Sequence, residues 1–455
     1  MPLVPPLVRS RAIAWSWSPA RRQRLTAVCG LAFALLVPSS LLPGADTSGP
    51  ADSAHGRLAT FDTAAGETYF ALSLMPDVEP PAKGGTQIVV LFDTSASQTG
   101  LYRETGLDAL KTMLASLGAQ SRVKLMAVDI AAVPATDGFV APGGPEAKRA
   151  VGRLAERTPL GATDMNGGLR AAAKALAERT GTARAIVYIG DGLSRANILQ
   201  PDEFRALLKT LVSQRVAVSS FAVGPERDVQ LLAALANHTG GMVFVDTNES
   251  NVAHRAGIAL ARAAEGVVLW PVSADMPQAM REVYPKPVPP FRLDRDTILI
   301  GVLAHRERLP IRITVELAGN QSVLEWKFTP EPSSEEFGFL VPLVAQARDT
   351  DGLTLPTVGS AGLRETGRVI LAEAENLVEV AARALKMGDI AGAERVVDSV
   401  LRRDPTNPEA LVLKRAIQKK KGQKPDDTGL ILKLPPPAAG GDAPRSKTPT
   451  GSSKP

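Results

Sequence analysis

Hydrophobic positions follow three regimes along the chain. Between residues 87 and 264, short runs of β-branched and aliphatic residues alternate with longer stretches whose apolar residues recur at helical spacing. That alternation predicts an α/β unit, doubly wound, with a mainly parallel sheet. The runs at 88–92, 123–130, 185–189, 216–223 and 242–245 are largely apolar and do not alternate, as expected of strands covered on both faces. A short edge strand is expected near Phe139. Leu107, Leu110, Met113, Leu114 and Leu117 share one helical face, as do Phe204, Leu207, Leu208 and Leu211. Such stripes belong to core packed on the sheet, not to a ligand site.

After Gly266 the period drops to two, and 297–302, 311–317 and 323–328 predict antiparallel strands of a small β-sandwich. The stretch 68–74 also reads as a strand. A lone strand is not stable, so it is expected to cross the first domain and pair with the later sheet. Helical spacing returns at 367–418, and a last helix, expected at 251–265, leads from the α/β unit into the sandwich. The implied division is 1–45 signal peptide or anchor, 46–84 linker and joining strand, 85–265 α/β domain, 266–347 β-sandwich, 360–420 helical segment and 421–455 disordered tail.

Composition narrows the function classes. A chain of 455 residues with 44% apolar side chains can bury two or three cores. Its net charge of +5 is concentrated at the ends, in Arg9, Arg11, Arg21, Arg22 and Arg24 and in Lys419, Lys420, Lys421 and Lys424. With aromatics at 4%, the middle offers no platform for stacking bases or tracking phosphates, which argues against nucleic acid as a partner.

The basic region ending at Arg24, the apolar run 25–37 and the small residues through Ala45 have the order of a secretory signal, with a mature start near Asp46. Leu41, Leu42 and Pro43 leave an uncleaved anchor as the alternative. The single cysteine, Cys29, lies inside the apolar run and reads as part of it; Thr26, Ala27 and Val28 match a lipid-attachment site weakly. The mature chain then has no thiol and relies on its cores alone.

Three motifs carry chemistry. Asp93, Ser95 and Ser97 follow the first predicted α/β strand; Gly161, Thr163 and Asp164 precede a helix; Gly190, Asp191 and Gly192 follow the strand at 185–189. All lie at carboxyl ends of strands or in adjoining loops, where open α/β sheets bind ligands. In order and spacing they resemble the metal-ion-dependent adhesion site of von Willebrand factor type A (VWFA) domains, and the resemblance spans 87–264. It implies that Ser95, Ser97 and Thr163 are direct hydroxyl ligands and that Asp93 and Asp191 act directly or through water. The implied ion is Mg2+, with Mn2+ or Ca2+ as alternatives.

Hard oxygen donors suit Mg2+, which is seldom caged wholly by protein. Two carboxylates balance the ion's charge, and an open position would favour a Glu or Asp from a partner protein. Asp164 reads as a helix cap with a ligand role as the alternative, and Asp129 as structural.

No Walker loop, His-Glu-x-x-His or Gly-x-Ser-x-Gly string is present, and His55, His238, His254 and His305 are scattered, each read as a surface or capped residue. A non-catalytic reading follows.

Residues 283–291, with 298–302, resemble the segment after this domain in inter-alpha-trypsin-inhibitor-heavy-chain-like proteins. Met387 to Ile390, then Ala393, Val397, Val400, Asp404 and Pro405, resemble a tetratricopeptide repeat, with Leu377, Val380, Ala381 and Ala384 on its first helix. Asn407, Pro408, Glu409 and Ala410 resemble the start of another. One repeat cannot bury its own face, so this segment either binds protein or docks on the sandwich as a helical hairpin. The sequence therefore predicts an exported periplasmic, cell-envelope or extracellular protein that binds another protein through a divalent cation. The alternative is a scaffold that binds through the helical segment, with a purely structural metal site.

Overall fold

The computed structural model describes residues 56–80, 84–178, 183–247, 249–403 and 407–422. The leader read at 1–45 with Cys29, the tail after Gly422, His55, and Asp404 with Pro405 lie outside the described residues. Among the described residues no helix is long and apolar enough to cross a membrane.

The chain opens with β1 (Gly56–Asp62) and β2 (Thr68–Leu74) and continues into β3 (Thr86–Asp93), α1 (Leu101–Ser116), β4 (Arg122–Val128) and β5 (Ala132–Pro134). Next come α2 (Pro145–Glu156), α3 (Met165–Ala177), β6 (Ala183–Gly190), α4 (Pro201–Ser213), β7 (Val216–Ala222), α5 (Val229–Thr239), β8 (Val243–Val245) and α6 (Val252–Glu265). From β3 to β8 the strands form one sheet in the order β5-β4-β3-β6-β7-β8, parallel except for β5.

The sheet is covered on both sides, which explains its largely apolar strands. On β3, Ile88, Val90 and Phe92 point into the core shared with α1, α2 and α6. Val89 and Leu91 point into the core shared with α3, α4 and α5. The edge is formed by β5 and not by a strand near Phe139; close by there is only a single bridge from Val123 to Val140. The chain turns back directly after β4, so an antiparallel neighbour takes the edge. Helix α6 lies very close to α1, since a β-carbon on Gly257 would stand 2.5 Å from the Ala109 carbonyl oxygen.

Beyond α6 follow β9 (Val268–Asp275), β10 (Met280–Tyr284), β11 (Phe291–Arg292), β12 (Thr297–Leu303), β13 (Leu309–Leu317) and β14 (Asn320–Phe328). Together with β1 and β2 they make two four-stranded sheets, β1-β2-β12-β10 and β11-β9-β13-β14. Strand β2 pairs antiparallel with β12, Leu72 opposite Leu299, so the chain enters the sandwich before the α/β unit and returns to it afterwards. Phe70, Leu72, Leu74, Ile311, Ile313, Val315 and Trp326 fill the space between the sheets. The outer face of the first sheet is covered by α7 (Leu340–Arg348) and the start of α8 (Gly359–Lys386), against Tyr69, Ala71, Ile298 and Ile300. The second half of α8 packs with α9 (Ile390–Arg403) and α10 (Pro408–Gly422) around Ala381, Leu385, Val397 and Ile417.

Buried polar side chains tie the α/β unit to the rest, Arg292 and His238 among them. Arg292, fully buried, donates from Nη1 to the carbonyls of Gly240 and Ala263, at the ends of α5 and α6, and grips Asp294 through Nε and Nη2. His238 is neither exposed nor a simple cap. It is 7% exposed, and its Nε2 lies 3.1 Å from the Leu353 carbonyl, because the loop before α8 folds over it. Burial lowers its pKa from the ordinary histidine value.

Candidate metal centre

Asp93 closes β3, and Asp191 follows the end of β6. The two strands are hydrogen-bonded neighbours with Phe92 opposite Ile189, so both carboxylates emerge side by side at the carboxyl edge. Backbone bonds bring in the third loop: Ala96 N–H donates to the Gly161 carbonyl at 3.0 Å, Leu160 N–H to Thr94 at 3.1 Å and Asp164 N–H to Asp129 at 2.7 Å.

All five residues singled out from the sequence meet in one hydrogen-bonded chain. Thr163 Oγ1 donates to Asp93, 2.9 Å from Oδ2. Asp93 Oδ1 accepts the Ser95 N–H at 2.9 Å, the Ser95 and Ser97 hydroxyls are 3.0 Å apart, and Ser97 Oγ donates to Asp191 Oδ2 at 2.6 Å. Asp93, Ser95, Thr163 and Asp191 are each buried.

Sequence reasoning missed Tyr188. Its hydroxyl donates to Asp93 Oδ2 at 2.7 Å and accepts the Gly192 N–H at 3.2 Å, joining the two carboxylate-bearing loops. Gly190 must lack a side chain for this reason, because a β-carbon there would stand 2.6 Å from the Tyr188 oxygen. Gly192, at φ 76°, occupies the left-handed region that favours glycine. The one signal was a tyrosine within an otherwise aliphatic strand.

The flanking carboxylates are occupied elsewhere. Asp164 accepts the Gly167 N–H at 2.9 Å as the N-cap of α3. Asp129 pairs with Arg157 Nη2 at 2.6 Å and accepts the Thr94 hydroxyl.

Asp93 and Asp191 have no such partner. Burial, then the neighbouring Asp191 charge, push the Asp93 carboxyl up to about 6. Burial likewise raises Asp191, against hydrogen bonds from Ser97 and the Leu193 N–H. Two hidden like charges satisfied only by hydroxyl and amide donors are costly, and a divalent cation would remove that cost. The donor set fits such an ion, because every oxygen is hard.

A pH dependence follows. The folded pKa of Asp93, about 6, exceeds the ordinary aspartate value of 3.8, so between these the folded chain keeps a proton that the unfolded chain has released. The contribution of this group is therefore greatest below the lower value and declines as pH rises through the upper one, by on the order of 2–3 kcal/mol. Urea midpoints in EDTA should report this fall between about pH 4 and pH 6.5, and saturating Mg2+ should remove it. A rise over the same interval contradicts the assignment.

A doubly wound α/β domain with hydroxyl and carboxylate oxygens converging at the carboxyl edge of its sheet is thus defined by fold and site. Residues 86–244 match the von Willebrand factor type A domain family, so this part of the chain is a von Willebrand factor type A domain. No curated protein matches the chain. Similar solved structures include a von Willebrand factor type A protein from Catenulispora acidiphila, 14% identical, covering 82% of this chain and 89% of that one, TM-score 0.45. The ArnB paralogue VWA2 from Sulfolobus acidocaldarius is 12% identical, covering 79% of this chain and 91% of that one, TM-score 0.39. Proximal thread matrix protein 1 from the mussel byssus, described with a zinc-occupied MIDAS motif, is 16% identical, covering 39% and 46%, TM-score 0.32.

Proposed function

We propose that this chain is an exported, non-catalytic protein-binding module whose VWFA domain holds a divalent cation, Mg2+ in the first instance and Mn2+ or Ca2+ as substitutes. The observation that carries the reading is the pair of buried carboxylates, Asp93 and Asp191, linked through Ser95 and Ser97 with no basic side chain bonded to either among the described residues. Asp93 and Asp191 supply two negative charges, and Ser95, Ser97 and Thr163 supply neutral oxygens. Tyr188 and the Ser95 and Leu193 amides orient the carboxylates. A bound ion supplies Lewis acidity toward an incoming carboxylate, which a Glu or Asp of the partner protein provides.

Thermal unfolding of the full chain tests the reading. At a Mg2+ concentration about a hundred times the dissociation constant, a ligand selective for the folded state stabilises it by ~2.7 kcal/mol. Ser97→Ala should lose most of that gain while unfolding normally in EDTA. A Mg2+ response unchanged in the variant sinks the site.

A second reading has its own observation. Val378 and Ala382 of α8 with Pro408, Val412, Leu413 and Ala416 of α10 line an open, mainly apolar groove of about 370 Å3. It supports a scaffold that binds through this tetratricopeptide-like segment, with the metal site structural. Partner binding that survives EDTA and fails on Val412→Asp favours that reading.

A further inference from the structure

Several of the large apolar side chains left exposed gather on the loops that carry the metal site. Leu101, Ile130, Leu160 and Ile198 are 72%, 69%, 66% and 70% exposed. None contributes to either core of the α/β unit, so folding does not account for them. Their placement is fixed by the bonds that build the site. Leu160 N–H is bonded to Thr94, and the next residue, Gly161, accepts the Ala96 N–H between Ser95 and Ser97. Ile130 Cγ2 lies 3.4 Å from where a β-carbon on Gly161 would stand. On another side, Ala196 N–H donates to the Thr163 carbonyl and Asn197 Nδ2 to Asp164, which sets Ile198 beside the loop bearing Thr163. Leu101 begins α1 shortly after Ser97.

Two ion pairs border these loops. Asp129 holds Arg157, and Arg195 holds Glu226, each at 2.6 Å. A partner carboxylate therefore finds no free basic side chain in these pairs, and its flanks face aliphatic surface. Exposed apolar surface with a polar centre is the anatomy of a binding face.

We infer that this face receives a segment whose acidic residue is flanked by large aliphatic or aromatic side chains, and not a run of acidic residues. A second negative charge beside the first would lie over Ile130, Leu160 or Ile198 and lose its water without a counter-charge. The inference rests on the metal-site reading and adds the partner's chemistry to it.

Straight-chain carboxylates serve as probes. Acetate, butyrate and hexanoate are titrated into the full chain in saturating Mg2+, with affinities read from amide chemical shifts. Full burial of a methylene is worth about fourfold, so partial burial predicts about twofold per added carbon and roughly tenfold or more from acetate to hexanoate. Ile130→Ser with Leu160→Ser should flatten the series while leaving Mg2+ and acetate binding unchanged, because both side chains are exposed and neither is a ligand. Val323→Ser, on the sandwich, should change nothing. A flat wild-type series, a slope that survives the paired serines, or a slope that persists in EDTA overturns the inference while leaving Mg2+ uptake intact. A chain that takes up no Mg2+ overturns the metal reading and this inference with it. Mg2+-dependent self-association abolished by the same serines assigns the face to a second copy of the chain and also overturns it.

Discussion

Asp93→Asn should change stability in opposite directions with and without metal. In EDTA near neutral pH the wild-type chain carries two buried carboxylates, and burial with the Asp191 charge holds Asp93 up to about 6. Asparagine keeps an oxygen for the Tyr188 and Thr163 hydroxyls but removes the charge. The metal-free variant should therefore unfold at equal or higher denaturant, by up to about 2 kcal/mol. In saturating Mg2+ the order reverses: wild type gains about 3 kcal/mol at a hundredfold excess over its dissociation constant, and the variant gains almost nothing. Urea curves in the two buffers read both signs at once. A variant less stable in both makes Asp93 a structural carboxylate.

Arg292→Met should be the most destabilising single change outside the metal site. Arg292 is fully buried and holds the Gly240 and Ala263 carbonyls, at the ends of α5 and α6, from the sandwich strand β11. Methionine fills much of the volume but donates nothing. Two carbonyls lose a charged donor, worth about 1.5–3 kcal/mol each, so a loss of roughly 3–5 kcal/mol is expected. Asp294, the ion-pair partner, has a side chain 51% exposed and recovers water, so it adds little. Replacing Asp294 as well should therefore rescue only a small part. A melting temperature lowered by roughly 10 °C checks the size, and a variant within about 1 kcal/mol of wild type contradicts this account of the junction.

The α/β unit was legible because its physics is local. Strands covered on both faces are apolar at most positions, and a carboxylate and hydroxyls directly after such a strand have to lie at its carboxyl edge. Less was visible where the reason sits far along the chain. Tyr188 reads as one more core residue, and only its reach to Asp93 on the neighbouring strand shows what its hydroxyl does. Arg292 stands among the charged Asp294 and Arg295 and reads as surface, though α5 and α6 bury it. His238 is covered by a loop more than a hundred residues later. Strand β9 was hidden by Pro271, where its pairing with β13 shifts register. The edge expected near Phe139 failed because β5, only three residues long, carries too little pattern to be seen.

The central claim is that Asp93, Ser95, Ser97, Thr163 and Asp191 together hold one divalent cation. Titrating Mn2+ into the metal-free full chain while following the free ion by electron paramagnetic resonance tests it most directly. The account predicts a single Mn2+ taken up per chain, released by excess Mg2+, and no uptake by Asp191→Ala. A free-ion signal that rises in wild type as it does in buffer, or uptake that Asp191→Ala leaves untouched, would contradict it.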